Sequence, residues 1–245
     1  GITAYDVTQP AMTLGNDTQL NEGCNLDNLE FSGGNACYYG LKLAGGSYSQ
    51  WHTNLTFQNF TKKGLWIVSG TSYPCAYLYF DGVAVQPTNS AAHEHHIYVQ
   101  QGNAAQYVEA IFFNHVRLSG ISQGLVCEIA GSANTVWTNS WFQINASGFG
   151  VKLSKPFATT PRLRGNGLIL DSPTSTDTLV LVDFAAATDV IGSYVYGAVD
   201  IDGKVSMIGT LKVNSSVAHV GNLSEVIYPY IIGAGYFNDS TNPVD

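Results

Sequence analysis

The chain has 245 residues and a formal net charge of −8; hydrophobic residues make up 45% of it and charged residues only 11%. Aromatic residues reach 12%, which excludes a disordered acidic chain because such chains are poor in aromatic side chains. Lys and Arg together number ten, too few to replace the counterions of a nucleic acid or to attract an anionic membrane. No apolar run approaches the roughly 20 residues of a membrane helix. We therefore expect no nucleic-acid partner and no membrane insertion.

Short apolar alternations follow one another along most of the chain. Residues 1–22 have weak periodicity and predict an N-terminal linker segment, whereas the pattern from residue 23 to residue 213 predicts strands separated by Gly, Asn and Ser. The predicted strands cover residues 26–31, 41–43, 51–57, 65–68, 75–85, 97–99, 108–118, 125–129, 136–144, 151–153, 168–170, 179–184 and 190–195. No stretch combines helix caps with a 3.6-residue period, so almost no helix is expected. Residues 214–245 predict a C-terminal strand or oligomerisation segment and a polar tail.

Two stretches repeat themselves at one and the same interval. Residues 40–43 return as 64–67, and residues 124–129 return as 148–153; we call this shared spacing the short interval. In each copy a glycine precedes an alternation of inward apolar and outward residues. A short strand cannot bury its apolar side alone, so equal spacing predicts that the copies stack on one another. The sequence therefore predicts an all-β fold, a single-stranded parallel β-helix (β-solenoid).

A second repeat supports this coiling. The motif Thr53-Asn54-x-x-Phe57 returns further along the chain as Thr138-Asn139-x-x-Phe142. Because the spacing of these two copies is not a whole multiple of the short interval, we expect loops between coils, at 69–74, 86–96 and 155–161. Insertions of this kind gather on one side of a solenoid and often carry binding.

One local segment resembles a known family. Residues 136–142, Val-Trp-Thr-Asn-Ser-Trp-Phe, are similar to the pectate-lyase segment in which Val-Trp-Ile is followed by Asp-His, two residues and Phe. Together with the strand pattern over residues 24–213, this resembles the right-handed parallel β-helix of the pectate-lyase-like superfamily. In those enzymes the Asp helps hold calcium. This chain has Asn139 and Ser140 instead, which removes the anionic ligand that a hard cation prefers.

The low charge, the strands rich in Ser, Thr, Asn and Gly, and the polar tail at 238–245 resemble phage and viral tailspikes and receptor-binding proteins. Those proteins share the β-helix and are usually homotrimers. The resemblance implies a protein of the virion surface or the extracellular space that binds a host-surface polysaccharide, another glycan or a receptor. The segment at 226–236, which is rich in Ile, Tyr and Gly, also favours a homotrimer. A secreted polysaccharide lyase or glycoside hydrolase and a purely structural virion or cell-surface module stay open as alternatives.

The alternation over residues 108–118 predicts an outer stripe of mixed chemistry. Its inward residues are Val108, Ala110, Phe112, Val116 and Leu118, and its outward residues are Glu109, Ile111, Phe113, His115 and Arg117. A carboxylate, an imidazole and a guanidinium on one surface could bind a sugar or act as acid and base. A solvated surface, or a trimer contact made by Ile111 and Phe113, is the alternative.

Tryptophans supply the second group of candidates. The same alternation places Trp137 and Trp141 outward, with Val136, Phe142 and Ile144 inward. An outward tryptophan suits a sugar ring, a partner subunit or a covering loop. The short interval also stacks Lys42 beside Trp66 and Glu128 beside Lys152 on the outside, and turns Cys127 inward. The predicted ligand-binding residues are thus Trp137, Trp141, Trp66, Glu109, His115 and Arg117.

Catalytic and metal-binding candidates carry weaker signals. Hydrolysis of a polysaccharide needs two carboxylates roughly 5–9.5 Å apart, and Glu94, Glu109 and Asp81 are candidates without a distinguishing motif. Residues 93–96, His-Glu-His-His, form the densest titratable cluster, but zinc needs three or four converging ligands. We expect no metal and no other cofactor. Cys24 and Cys37 could form a disulfide in an oxidising compartment.

Overall fold

The computed structural model describes residues 2–3, 8–34, 36–86, 94–121, 124–131, 133–144, 148–154 and 157, together with the backbone of the strands between residues 162 and 232. The first twelve strands are β1 (Ile2–Thr3), β2 (Pro10–Leu14), β3 (Asn21–Glu22), β4 (Leu26–Ser32), β5 (Tyr39–Leu43), β6 (Ser47–Gln58), β7 (Lys63–Val68), β8 (Cys75–Gln86), β9 (His95–Gln100), β10 (Val108–Asn114), β11 (Arg117–Ile121) and β12 (Gly124–Ala130). The second twelve are β13 (Ala133–Thr138), β14 (Trp141–Ile144), β15 (Gly148–Ser154), β16 (Arg162–Asn166), β17 (Ile169–Asp171), β18 (Thr178–Asp183), β19 (Thr188–Ile191), β20 (Tyr194–Val195), β21 (Ala198–Asp202), β22 (Val205–Val213), β23 (Ala218–Val220) and β24 (Glu225–Ile232).

The strands stack into two long sheets, and the chain passes from one sheet to the other as it coils. Sheet A has 15 strands and follows the order β1-β4-β6-β8-β11-β14-β17-β20-β22-β19, with β3, β10, β13, β16 and β24 paired beside this path. Sheet B has nine, in the order β2-β5-β7-β9-β12-β15-β18-β21-β23. The pairings are parallel. The predicted all-β parallel solenoid is confirmed, while its right-handed winding stays a prediction.

No helix occurs in the described residues, as the sequence predicted. Accordingly, this part of the chain contains no helix long and apolar enough to span a membrane.

The short interval corresponds to true stacking in sheet B. Lys42 pairs with Trp66, and Glu128 pairs with Lys152, in the register that the repeats predicted. Between these two pairs the coils are longer: Trp66 pairs with Tyr98, and Tyr98 pairs with Glu128. The extra residues between Trp66 and Tyr98 include two of the predicted loop regions, 69–74 and 86–96. Within the second region, residues 87–93 lie outside the described residues.

A column of left-handed residues bends sheet A at the same point of successive coils. Asn54 has φ 51° and Asn139 has φ 48°, which explains why the Thr-Asn motif recurs. Asparagine tolerates this conformation better than most residues because its short amide can bond locally. The corner column consists of Asn28, Asn54, Gly82, His115 and Asn139.

The residues directly before the corner explain the spacing of the Thr-Asn motif. Thr53 pairs with Asp81, Asp81 with Asn114, and Asn114 with Thr138. The two copies of the motif are therefore three coils apart, and unequal loops make up the difference from a whole multiple of the short interval.

Left-handed residues also change which side chains point inward. Ile111 and Phe113, predicted to face outward, are fully buried, whereas Ala110 and Phe112, predicted to face inward, are partly exposed. The prediction was wrong because Ala110 (φ 54°) and His115 (φ 50°) each interrupt the alternation. The remaining orientations in this stretch are confirmed, with Glu109, His115 and Arg117 exposed and Val108, Val116 and Leu118 buried.

The predicted outward orientation of Trp137 was also wrong. Trp137 is 0% exposed, and its ring stacks on Phe113 with centroids 3.9 Å apart, whereas Val136 is partly exposed. The alternation cannot be carried across Asn139, because its left-handed backbone exchanges inside and outside. Trp141 follows that corner and is partly exposed, as predicted.

The interior of sheet A contains a column of stacked rings. His52, Phe80, Phe113 and Trp137 lie in register on four successive coils, with centroid separations of 5.1, 5.0 and 3.9 Å. Aromatic side chains of this size bury about 150–250 Å² each and gain a further ~1 kcal/mol from the ring contact. Cys127, predicted to point inward, is fully buried in the same core.

His52 is an unusual member of this core because it can be charged. Its Nδ1 accepts the backbone N–H of Leu26 at 3.3 Å, so its Nε2 carries the proton and donates to Gln50 Oε1 at 3.2 Å. Burial lowers the pKa of His52 to about 4, since the charged ring would lose its hydration.

The N-terminal residues are more ordered than the sequence suggested. Within the predicted linker segment 1–22, Pro10–Leu14 forms a strand that pairs with Tyr39–Leu43, and its Met12 lies in the column of Leu41. The partner strand supplies order that a weakly periodic segment lacks by itself. The suggested disulfide between Cys24 and Cys37 is not formed in the described structure.

Asn54 provides a test of the corner column. Asn54→Ala and Asn54→Gly both remove the 3.2 Å hydrogen bond that Asn54 Nδ2 donates to Asn28 Oδ1, but only glycine adopts the left-handed conformation without cost. We expect Asn54→Ala to unfold in urea with a free energy about 1 kcal/mol lower than Asn54→Gly. Equal stability of the two variants would contradict a corner set by backbone conformation.

His52 should make stability depend on pH. Unfolded His52 takes up a proton near pH 6.5, whereas buried His52 does so near 4. The stability that neutral His52 contributes is therefore fully present above pH 6.5 and is lost as pH falls towards 4. The loss is on the order of 3 kcal/mol. His52→Phe keeps a ring against Phe80 and removes this titration. As pH falls across this range, the free energy of unfolding in urea should decrease for the wild type relative to His52→Phe. If both proteins show the same pH dependence, the low pKa assigned to His52 is refuted.

Candidate ligand-binding face

An aromatic ladder runs along the outer surface of sheet A. Trp51, Tyr79 and Phe112 lie in register on β6, β8 and β10. The rings of Trp51 and Tyr79 have centroids 4.1 Å apart and those of Tyr79 and Phe112 are 4.7 Å apart, with interplanar angles of 7° in both pairs. Trp51 is the end ring and is 56% exposed. A large exposed ring held rigidly on a sheet is a candidate contact for a ligand or a partner.

Three tyrosines extend this aromatic surface. Tyr48 and Tyr77 form an edge-to-face pair with centroids 5.1 Å apart. Desolvation, together with the nearby Tyr77 and Tyr107, raises the pKa of Tyr48. Tyr77 and Tyr107 are 41% and 42% exposed. We call the ladder and these tyrosines the aromatic face; its members are Tyr48, Trp51, Tyr77, Tyr79, Tyr107 and Phe112.

A polar column borders the ladder on the side of the corner. Thr53 Oγ1 donates to Asp27 Oδ1, and Asn114 Nδ2 donates to Asp81 Oδ1 at 3.0 Å. His115 Nδ1 lies 3.0 Å from the same oxygen of Asp81. The column consists of Asp27, Thr53, Asp81 and Asn114. Two of the sequence candidates, Asp81 and His115, are thus brought together beside the ladder.

Trp51 leaves one ring face open at the end of the ladder. One face of its indole stacks on Tyr79, and in the adjacent coil on the other side its backbone N–H donates to Asn25 Oδ1 at 2.8 Å. Among the described residues no ring covers that second face. A flat apolar face next to carboxylate and amide groups suits a sugar ring, whose C–H surface packs on the indole while its hydroxyls hydrogen-bond.

Arg117 and Trp141 form a separate outer contact. They pair in register, and Arg117 Cζ lies 5.0 Å from the centroid of the Trp141 ring. Both residues follow the corner column, so they belong to a different outer surface from the ladder. Glu109 is exposed in the column of Tyr48, next to the tyrosines. Trp137 is excluded from any surface site by its burial.

Trp66 belongs to a third surface, on sheet B. Lys42 Nζ lies 4.4 Å from its ring centroid, and Lys63 Nζ lies 5.5 Å from it and 3.3 Å from Glu94 Oε2. Although desolvation opposes it, the hydrogen bonds and charges of Lys62 and Lys63 keep the pKa of Glu94 below its usual value. Glu94 is therefore an ion-paired carboxylate, which is a poor general acid.

The histidines of residues 93–96 do not converge. His95 Nε2 lies 2.7 Å from Glu128 Oε2, whereas His96 is buried with its Nε2 3.2 Å from Ser119 O. His93 lies outside the described residues. Within the described part of the chain no three His, Cys, Asp or Glu side chains are grouped as a metal ion would require.

The remaining catalytic candidates are too far apart for the usual glycosidase mechanism. Glu109 pairs with Ala76, which precedes Asp81 by five positions on the same strand. At about 3.3 Å per residue the two carboxylates are on the order of 15 Å apart, beyond the roughly 9.5 Å limit. Glu94 lies directly before β9 of sheet B, so it is not part of the sheet A surface that carries Asp81 and Glu109.

A cleft of about 430 Å³ lies between the N-terminal segment and residues 69–71, next to Lys42 and Trp66. The carboxylate of Asp17, which lines this cleft, accepts hydrogen bonds from the Thr71 hydroxyl and from the backbone N–H groups of Thr71 and Tyr73, the latter two at 2.7 and 2.9 Å. The Thr71 hydroxyl and these N–H groups lower the pKa of Asp17 to about 2 against a smaller desolvation effect. Asp17 is thus committed to holding this loop.

No protein family, curated protein or solved structure matches this chain.

The sequence did not single out the aromatic ladder. The pattern predicts a strand over Trp51 without marking a site there, and it predicts Phe112 in the core. A usable signal exists in the corner motif, because Trp51 and Val136 both precede its threonine by two positions. Tyr79 and Phe112 precede Asp81 and Asn114 in the same way, but those residues do not match the motif by identity.

Replacing Trp51 and Trp137 by alanine should separate surface from core. Trp137→Ala empties a buried ring position and should lower the free energy of unfolding by about 3–5 kcal/mol. Trp51→Ala loses one exposed stacking contact, worth about 1 kcal/mol. Urea denaturation of the two variants measures both values. A Trp51 effect as large as that of Trp137 would show that Trp51 is covered in the native protein.

Proposed function

We propose that this chain is a viral or phage surface protein, similar to tailspikes, that binds a host-surface glycan through the aromatic face of a β-helix. The observation that carries the proposal is the exposed aromatic ladder ending at Trp51, next to the polar column. Exposed apolar area of this kind is unfavourable in water. A ligand that covers the open face of Trp51 and hydrogen-bonds to Asp27 or Asp81 would offset that cost.

The scaffold suits recognition of an extended polymer. Ladder and column both stand on paired strands, so their side chains are spaced by the backbone register rather than by a loop. Sites on regular elements hold their geometry more closely than sites on loops. Successive coils are about 4.8 Å apart, and each adds one ring edge and one polar position next to the open face of Trp51. A glycan that stacks on Trp51 can therefore extend along the ladder.

The finer parts of the proposal rest on resemblance. A right-handed winding of the pectate-lyase-like type, a homotrimer and a location on the virion or outside the cell follow from the similarity to tailspikes described above. The absence of an aspartate at Asn139 and the wide separation of Asp81 and Glu109 favour binding over cleavage.

Retention on immobilised polysaccharides tests this function. We expect the wild-type protein to bind at least one glycan of a broad panel, Trp51→Ala to bind at least tenfold more weakly, a loss of about 1.4 kcal/mol, and Trp141→Ala to bind normally. Trp141 is the matched control because it is an outer tryptophan on a different surface.

Other outcomes identify the alternatives. New reducing ends or unsaturated products would indicate a lyase or hydrolase. Retention of no glycan would refute the proposal and favour a structural module. If Trp51→Ala instead converts a trimer into monomers in solution, the aromatic face is a subunit interface rather than a glycan site.

A further inference from the structure

Among the described residues, the exposed Asp, Glu, Lys and Arg side chains around the aromatic face are all acidic. Asp27 and Asp81 stand in the polar column on one side of the ladder. On the other side Glu22 pairs with Tyr48, and Glu109 occupies the same column two coils beyond Tyr48. All four carboxylates are exposed. The ladder therefore lies between two acidic borders.

The lysine and arginine side chains that the structure describes lie elsewhere, and the backbone of Arg162 and Arg164 lies in β16, four coils away from Trp51 along sheet A. Lys42, Lys62 and Lys63 are on or next to sheet B, where they contact Trp66 and Glu94. Arg117 lies beyond the corner, over Trp141. Among the residues whose side chains are described, no lysine or arginine stands on the outward positions between the two acidic borders. Any charge on a ligand bound there would meet the carboxylates first.

The available hydrogen-bonding groups have the same bias. A carboxylate accepts hydrogen bonds and donates none. Asp81 uses Oδ1 for Asn114 and His115, and no described group donates a hydrogen bond to its Oδ2. Glu109 has no hydrogen-bond partner among the described residues. The ligand atoms opposite these oxygens must therefore be donors: sugar hydroxyls, amide N–H groups or an ammonium.

We infer that the glycan bound by the aromatic face carries no carboxylate, sulfate or phosphate, and is a neutral or amino-sugar polymer. The inference rests on the proposed glycan binding and adds the chemical class of the ligand. Unit charges about 10 Å apart at the surface interact weakly one at a time, but four of one sign acting together should disfavour an acidic polymer about tenfold at low salt. The difference should shrink near 1 M salt, where charges are screened within about 3 Å.

Binding to a charge-matched panel provides the experiment. The probes are mannan, dextran and chitin oligosaccharides as neutral glycans, chitosan oligosaccharides as amino sugars, and oligogalacturonate and hyaluronan as acidic ones. We expect a neutral or amino probe to bind, with affinity lost in Trp51→Ala, and the acidic probes to bind at least tenfold more weakly. Asp81→Asn combined with Glu109→Gln removes two of the four carboxylates and should raise the ratio of acidic-probe to neutral-probe affinity several-fold.

The failures of the two proposals look different. If an acidic probe binds as tightly as any neutral or amino probe, and does so through Trp51, glycan binding stands and the inference about its class is overturned. Acidic binding that is abolished by Lys42→Gln but not by Trp51→Ala would place the ligand on sheet B and overturn both. Absence of binding by every probe would also overturn both.

Discussion

Backbone hydrogen bonds between successive coils impose one constraint on the whole molecule: neighbouring coils must bend at the same place. A coil with a displaced corner would lose its parallel pairing and leave buried N–H and C=O groups without partners, at a cost of ~1–3 kcal/mol for each group. The left-handed column from Asn28 to Asn139 meets this requirement. Asparagine, glycine and histidine all occur in it because the stacking fixes the backbone conformation but not the side chain.

Inside and outside follow from this column. A left-handed residue interrupts the two-residue alternation, so the residues before the corner and those after it follow separate inside–outside patterns. This is why Phe113 and Trp137 complete the buried stack, while Phe112 joins the outer ladder next to Tyr79. Register then multiplies each choice: once Trp51 faces outward, residues paired with it in later coils face outward too. A buried and an exposed ladder of rings thus arise from one set of strands.

The outer rings of the two sheets have different charged neighbours. Carboxylates border the ladder on sheet A, whereas lysines stand over aromatic rings on sheet B, where Lys63 lies between Tyr39, Trp66 and Tyr98. A net charge of −8 describes neither surface. The proposed glycan binding rests on the local pattern, in which an open indole face adjoins oxygen acceptors and no described lysine or arginine side chain lies close by.

The parallel solenoid could be predicted from the amino-acid pattern alone. The repeats at residues 40–67 and 124–153 paired as predicted, and the recurrence of Thr-Asn marked the corner, because identical positions on stacked coils meet the same local demands. Cys127 and Trp141 were also placed correctly. The orientation of Ile111, Phe113 and Trp137 and the existence of the ladder emerged only from the folded chain. Backbone φ at Ala110, His115 and Asn139 sets those orientations, and the pairing of Trp51, Tyr79 and Phe112 depends on loops of unequal length. Neither quantity can be read from hydrophobic periodicity.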